Sequence, residues 1–191
     1  EWKTEEGISS GYREKGFFPE AVINFLALLG WNDGTDKELF SLDELVDAFD
    51  LNRVHKSGAK FDPEKNKWFN HQYLQKQSNE SLANAFQKIL IEKGIDSSKV
   101  EMTALTQLVS MIKERAHFVS EFWEMSDFFF NAPNGYDEKA AKNWNADTPR
   151  LLQELISVLA DIGDSHFSSA NVETIVKDWM AKNEIGMGKI M

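Results

Sequence analysis

The fold class is decided by residues 18–31, which read FPEAVINFLALLGW. Pro19 suits the first turn of a helix, because the amide hydrogen that proline lacks would have no partner there. Apolar residues then recur at helical spacing, and Gly30 stands where the helix should end. These apolar residues are Val22, Phe25, Leu26 and Leu29. The stretch therefore predicts a helix that buries one face.

Helix signals recur along the rest of the chain. Ser41 and Glu44 have the spacing of a capping box, which predicts a short helix to about Phe49. Asp62 followed by Pro63 predicts the start of another helix, which runs through Tyr73. Further helical periods cover 82–94, 105–122, 138–144, 148–163 and 172–179, and no alternating strand pattern competes with them. We therefore predict an all-α fold.

The polar stretch from Gln75 to Glu80 is the expected boundary between two parts of the chain. It separates a first helical unit, residues 1–79, from a second one, residues 80–191. The chain begins with Glu1 rather than Met, and residues 186–191 open a new apolar segment. We therefore expect a piece of a longer protein whose second unit is truncated.

Composition indicates a soluble globular protein. The chain has 191 residues, 42% of them hydrophobic, and a formal net charge of −10. No cysteine is present, which excludes disulfides and thiol chemistry and fits a reducing cytoplasm. No apolar run approaches the roughly 20 residues of a membrane span, and the N-terminus lacks signal-peptide features. We predict cytoplasmic localisation without membrane contact.

The sequence offers no self-contained catalytic or metal site. The four histidines stand far apart, and none belongs to a two-histidine metal motif. Gly188 and Lys189 resemble the end of a phosphate loop, but the first glycine of that motif would fall on Asn183. We therefore predict no catalytic residue, no metal ligand and no cofactor within this chain.

A basic ribbon at residues 53–70, RVHKSGAKFDPEKNKWFN, contrasts with the acidic chain. Cations beside a helix N-terminus suit phosphate groups, which Coulomb attraction and backbone donors can hold. The alternative is a solvated surface formed by the same five cations, Arg53, Lys56, Lys60, Lys65 and Lys67. Trp68 and Phe69 lie at core spacing with Phe61, which favours packing over base stacking.

The chain resembles the region of bacterial glutamyl-tRNA synthetases that follows their second ATP signature. The resemblance is dense over residues 11–73 and continues more thinly to Met191, where residues 187–191 resemble the start of a helix in the anticodon-binding region. Residues 57–60 and 68–73 resemble most the enzymes of the Bacteroides group. The matching residues are Gly11, Tyr12, Gly16, Pro19 to Ala21, Asn24 to Trp31, Phe40, Ser41, Phe49 to Leu51, Arg53, Val54, Lys56, Ser57, Phe61, Asp62, Lys65, Trp68 and Asn70.

This resemblance implies a class I synthetase that joins glutamate to its tRNA using ATP. The ATP and Mg²⁺ would bind an N-terminal Rossmann domain, since both ATP signatures are absent from this sequence. Residues 1–79 would contact the tRNA stem and residues 80–191 the anticodon. A monomer that binds tRNA, and not DNA, is implied. Two departures stand out: Asn66 replaces a usual leucine, and His55 replaces a common serine.

The resemblance also implies the residues that contact tRNA. Lys56 and Lys65 would face the stem, and Arg115 would approach the third anticodon base, with Lys113 beside it. Lys177 matches a basic position near the anticodon. The alternative for Arg115 is an ion pair with Glu114 or Glu121 on a helix exterior. The alternative for the whole chain is a helical module that binds a protein partner through exposed apolar residues.

Overall fold

The computed structural model describes residues 2–4, 7–56, 58–136, 138–142 and 144–186. It is helical, which confirms the predicted all-α class. A small antiparallel hairpin of β1 (Trp2–Thr4) and β2 (Gly7–Ser9) precedes the helices. The sequence does not predict this hairpin, because strands of three residues are too short to show alternation.

The chain forms two compact units, Glu1–Ala132 and Pro133–Met191. The helices described in the first unit are α1 (Pro19–Leu28), α2 (Leu42–Ala48), α3 (Pro63–Lys76), α4 (Asn79–Glu92), α5 (Met102–Ile112) and α6 (Glu121–Ser126). Those described in the second are α7 (Glu138–Ala141), α8 (Thr148–Ala160) and α9 (Ser169–Lys182). In the described ranges, no helix has the length and apolarity that crossing a membrane requires.

The predicted helix starts are confirmed. Ser41 and Glu44 form the capping box, with the Ser41 hydroxyl 3.2 Å from the Glu44 nitrogen and the Glu44 carboxylate 2.7 Å from the Ser41 nitrogen. The Asp62 side chain accepts from the backbone nitrogens of Glu64 and Lys65 at the start of α3. Gly94 has a φ of +81°, the left-handed conformation that ends α4.

The predicted buried face of α1 is partly wrong. Phe25 is buried as expected, but Leu26 is 51% exposed. The buried stripe instead includes Ala21 and Asn24. Helix α1 packs against α3 and α2, and Asn24 can face them because both its amide nitrogen and its oxygen are hydrogen-bonded there. The helical period was predictable, whereas the orientation depended on a buried polar residue.

Three apolar clusters form the core of the first unit. Between α1 and α3 lie Ala21, Phe25, Phe69 and Tyr73. A second cluster, Trp31, Phe40 and Leu45, lies under α2. The largest cluster joins α4, α5 and α6 to the end of α3, and its buried members include Leu74, Leu82, Phe86, Leu90, Leu105, Val109, Ile112 and Phe122.

The predicted continuous helix over 105–122 is wrong. Helix α5 ends at Ile112, a single 3-10 turn spans Lys113–Arg115, and α6 begins only at Glu121. Between them Ala116 is extended and fully buried. The apolar period continues through the break, so it could not reveal that the chain changes direction there.

The second unit has a small core. Leu151 from α8 packs with Trp179 and Met180 from α9. Helices α8 and α9 occur as predicted, whereas α7 ends at Ala141, before the predicted end at residue 144. The predicted helix start at residues 187–191 lies outside the described residues.

The predicted division between residues 79 and 80 falls in the first turn of α4, just after Gln77 and Ser78, which connect it to α3. Both helices belong to the first compact unit, since Leu74 of α3 packs into the α4 and α5 core. A division of roles between residues 1–79 and 80–191 stays a prediction about function.

Candidate nucleic-acid interface

Lys65 lies in the first turn of α3 and points toward the segment before α2. Its ammonium forms an ion pair with the Glu38 carboxylate, and its side chain is 45% exposed. The Lys65 backbone nitrogen is capped by Asp62. A surface pair of this kind holds the cation in place but contributes little stability. Lys65 therefore presents a positioned, partly neutralised charge at a helix N-terminus.

Buried Asn24 fixes the segment that carries Glu38. Its amide nitrogen donates to the Glu38 carbonyl at 3.0 Å, and its oxygen accepts from the Phe40 nitrogen at 2.9 Å. The Tyr73 hydroxyl lies 2.7 Å from the same oxygen. Burial raises the pKa of Tyr73, with Glu20 and Glu44 adding to the shift, so the hydroxyl keeps its proton. These contacts explain how Glu38 meets α3.

Lys56 is exposed and directly follows the part of the ribbon that contacts Gly30 and Trp31, beyond the end of α1. The ribbon is tied there by a β-bridge between Val54 and Trp31 and by the His55 nitrogen, which donates to the Gly30 carbonyl at 2.8 Å. His55, which replaces a common serine of the resembled family, still makes a polar contact, because its ring nitrogen Nε2 lies 3.1 Å from the Asn32 amide nitrogen. No described residue forms a hydrogen bond or an ion pair with the Lys56 side chain.

The other residues of the ribbon differ in their exposure. The Arg53 guanidinium donates to the Asp33 carbonyl, so it braces a loop. Phe69 is fully buried, which confirms its packing role, whereas Trp68 is 38% exposed. The Trp68 ring meets Phe69 edge-on, with centroids 5.0 Å apart. Lys60 is exposed and Lys67 half-buried.

Arg115 ends the 3-10 turn after α5 and is exposed. Among the described residues, no carboxylate lies within ion-pairing distance of its guanidinium, so the alternative pairs with Glu114 and Glu121 do not form there. Glu121 instead accepts from the His117 nitrogen at 2.7 Å. Lys113, two residues earlier, is half-buried, and its ammonium donates to the Gln77 carbonyl at 3.0 Å.

Three polar side chains of α3 hold the backbone around Arg115. The Gln75 amide nitrogen lies 2.7 Å from the Lys113 carbonyl, and His71 Nδ1 lies 2.7 Å from the Ala116 carbonyl. The Asn70 amide nitrogen lies 2.6 Å from the His117 carbonyl. We call Asn70, His71 and Gln75 the α3 clamp, and residues 113–118 the arginine segment.

Sequence reasoning did not predict the α3 clamp. A signal exists, because His71 and Gln75 are four residues apart and therefore share one helix face. They are polar on a helix that buries Phe69 and Leu74 nearby. Their partners are carbonyl groups, which every residue carries, so the pattern cannot identify which segment they bind.

Lys177 lies in the second unit, on α9, and is exposed. Its ammonium lies 2.5 Å from the Glu173 carboxylate, one helical turn earlier. This hydrogen bond, together with the positive charge, lowers the pKa of Glu173. Lys177 is therefore a paired surface cation, as i,i+4 spacing favours.

Two of the predicted cations of the first unit, Lys65 and Lys113, lie at opposite ends of α3. Lys65 lies near its start, and Lys113 reaches Gln77 just beyond its end. With about 1.5 Å of rise per residue, these two ends lie roughly 18 Å apart. Such a spread suits an elongated polyanion better than a small anion.

The family described as "Anticodon binding domain" matches residues 81–191, more than half of the chain. This chain belongs to the anticodon-binding-domain family. A second family, "tRNA synthetases class I (E and Q), catalytic domain", matches residues 4–68.

The relatives of this chain agree with the predicted resemblance. It is 74% identical over 191 residues to the "Glutamate--tRNA ligase" of Flavobacterium johnsoniae and 51% identical over 195 residues to that of Phocaeicola vulgatus. A crystal structure of a glutamate tRNA ligase from Elizabethkingia meningosepticum matches with a TM-score of 0.89 and 40% identity. All three comparisons cover 100% of this chain and 37% of the other protein. The similarity to bacterial glutamyl-tRNA synthetases, including Bacteroides relatives, is confirmed.

Proposed function

We propose that this anticodon-binding chain is the tRNA-binding part of a glutamate–tRNA ligase, which attaches glutamate to its tRNA using ATP. The observation that carries the proposal is the match of residues 81–191 to the anticodon-binding family in a chain 74% identical, over its full length, to such a ligase. The alternative of a helical protein-interaction module is not favoured, because none of these similarities points to it.

The proposed contacts divide into two kinds. Lys56 and Lys65 contact phosphates of the tRNA stem, which position the molecule without reading its sequence. Arg115 approaches the third anticodon base, where a planar guanidinium can donate two hydrogen bonds or stack. Lys113 and Lys177 add positive charge near the anticodon. The exposure of Arg115 and the positions of Lys65 and Lys113 at opposite ends of α3 support this assignment.

Glutamate activation is proposed for the part of the ligase outside this chain. The two ATP signatures of the family are absent from this sequence. In the part of the chain that the structure describes, no three His, Asp or Glu side chains group closely enough to hold a metal ion. We propose that ATP and Mg²⁺ bind the part of the ligase outside this chain. We propose that the complete ligase works in the cytoplasm as a monomer.

The test of this function is the salt dependence of tRNA binding by the chain. The double variant Lys56→Ala with Lys65→Ala should weaken binding to a glutamate tRNA transcript. It should also flatten the plot of log affinity against log salt by about one unit per lost phosphate contact, or less for the paired Lys65. Fluorescence anisotropy at several salt concentrations measures both effects.

A matched control is the double variant Lys88→Ala with Lys99→Ala, which removes two exposed cations elsewhere in the first unit. It should leave the slope unchanged. If the Lys56 and Lys65 variant also keeps the slope, the ribbon is a solvated surface. If the unchanged chain binds no tRNA at any salt concentration, the proposed function of the chain fails.

A further inference from the structure

The arginine segment lacks the backbone hydrogen bonds of a regular helix. A helix end leaves carbonyl groups without partners, and residues 113–118 form only one 3-10 turn before the chain extends at Ala116. Three of its carbonyls, those of Lys113, Ala116 and His117, accept hydrogen bonds from the α3 clamp at 2.6 to 2.7 Å, and the Lys113 carbonyl also accepts from the Ala116 nitrogen at 3.2 Å. The conformation of this segment therefore depends on side chains more than 35 residues away in sequence, with separations of 47, 45 and 38.

The clamp is itself fixed in place. Asn70 is fully buried, and its oxygen accepts from the Phe18 nitrogen at 2.8 Å while its nitrogen donates to His117. The Ala116 carbonyl can only accept, so His71 carries its proton on Nδ1. Phe118 closes the segment by meeting Phe17 edge-on, with centroids 4.8 Å apart.

Arg115 stands at the centre of these contacts but takes no part in them. The carbonyls of Lys113 before it and Ala116 after it are held, while its own side chain is exposed and pairs with no described carboxylate. A held backbone with a free side chain is the arrangement that a base-reading group needs, since its direction is set before the ligand arrives.

We propose that Asn70, His71 and Gln75 are positioning residues that set the direction of Arg115 and thereby determine selectivity at the anticodon. This inference rests on the proposed function of Arg115. Without the clamp, the charge of Arg115 remains and still attracts tRNA, but the guanidinium loses its fixed orientation. The expected loss is therefore one of discrimination between bases and not one of overall affinity.

The experiment uses the complete ligase and two tRNA transcripts that differ only at the third anticodon base. Gln75→Met keeps the length of the side chain and removes its donor. It should reduce the ratio of kcat/KM between the transcripts by about two- to tenfold, the effect of one lost hydrogen bond. The matched control is Gln72→Met on the same helix, because Gln72 makes no side-chain hydrogen bond among the described residues. Its ratio should not change.

A second pair of variants guards against a folding defect. His71→Leu should reduce the ratio, whereas His71→Asn should restore most of it, because an amide N–H can replace the Nδ1 donor. A purely structural role would lower kcat/KM for both transcripts equally. If Gln75→Met and His71→Leu each lower kcat/KM by the same factor for both transcripts, the positioning proposal is overturned.

Arg115→Gln separates this inference from the function on which it rests. If Arg115→Gln changes the ratio and the clamp variants do not, the positioning role is wrong and the role of Arg115 stands. If Arg115→Gln leaves the ratio unchanged, Arg115 does not recognise the third anticodon base, and the proposed positioning role of the clamp is then wrong as well. If both change it, the double variant of Arg115→Gln with Gln75→Met should lose no more than Arg115→Gln alone, because the clamp acts through Arg115. A further loss in the double variant would overturn the proposal.

Discussion

Three buried asparagines show how differently one residue type can be used. Asn24 and Asn70 are each fully buried, and each links segments of the chain through both its oxygen and its nitrogen. Asn66 is equally buried, yet its oxygen has no hydrogen-bond partner among the described residues. A buried acceptor without a partner costs free energy, because water satisfied it in the unfolded chain. Asn66 is therefore a weak point of α3.

We predict that Asn66→Leu stabilises the first unit by about 1 kcal/mol, since the substitution removes an unpaired buried oxygen and keeps the number and branching of the side-chain heavy atoms. Leucine is also the residue that the resemblance implies at this position. Urea unfolding of both proteins measures the difference. The control is Asn24→Leu, which should be destabilising because it leaves the Phe40 nitrogen and the Glu38 carbonyl unpaired. A lower unfolding midpoint for Asn66→Leu would contradict the prediction.

At the scale of elements, helix starts depend on local contacts and the helix ends at the interface depend on distant ones. The capping box of α2 closes within four residues, whereas the end of α5 is completed by α3. The box also includes Lys37, whose ammonium lies 2.6 Å from the Glu44 carboxylate. The hydrogen bond from Lys37 is the largest cause of the lowered pKa of Glu44, followed by that from the Ser41 nitrogen.

We predict that stability conferred by Glu44 depends on pH. The pKa of Glu44 is lower in the folded chain than in the unfolded chain, where it is 4.5. The carboxylate therefore stabilises the folded chain at pH values above 4.5, and this stabilisation is lost as the pH falls through the folded-state pKa. Wild type should therefore exceed Glu44→Gln in free energy of unfolding at neutral pH, and the two should converge below about pH 4.5. Urea unfolding at several pH values measures this.

Lys37→Met provides the control for Glu44, because it removes the largest cause of the shift and keeps the backbone cap. In the Lys37→Met background, the difference in free energy of unfolding between the Glu44 protein and the Glu44→Gln variant should depend less on pH. A gap between wild type and Glu44→Gln that is constant from neutral pH to about pH 3 would show that the carboxylate charge has no part in stabilising α2.

At the scale of the whole molecule, the two units differ in how completely they bury their cores. Phe86 and Phe122 in the first unit are 0% exposed, whereas Leu151, Trp179 and Met180 in the second remain 6 to 8% exposed. Burial of apolar surface therefore contributes less to the folding free energy of the second unit, and most of that contribution comes from a few core residues.

We predict that the two units unfold separately. Trp179→Ala should destabilise the second unit by about 3 to 5 kcal/mol, as aromatic truncations in cores do, and leave the first unit intact. Phe86→Ala should destabilise the first unit and leave the second unit intact. Hydrogen exchange of backbone amides, followed in α4 and α9, distinguishes the units. Equal acceleration in both helices by either variant would show one cooperative unit.

The sequence by itself determined the helical class, the starts of α1, α2 and α3 and the family resemblance. It could do so because caps and amphipathic periods are set by residues within about four positions of one another. The resemblance supplied the candidate tRNA contacts, Lys56, Lys65, Lys113, Arg115 and Lys177, which remain predictions.

Only the tertiary structure decided which face of α1 is buried, where α5 ends, and what holds the arginine segment. Asn24 faces inward because its hydrogen-bond partners lie there, and these partners are 14 to 49 residues away in sequence. The helix breaks after Ile112 at a segment whose carbonyls are held by α3, from positions 38 to 47 residues earlier. Backbone carbonyls are the same in every residue, so no side-chain pattern can show which of them a distant donor will select.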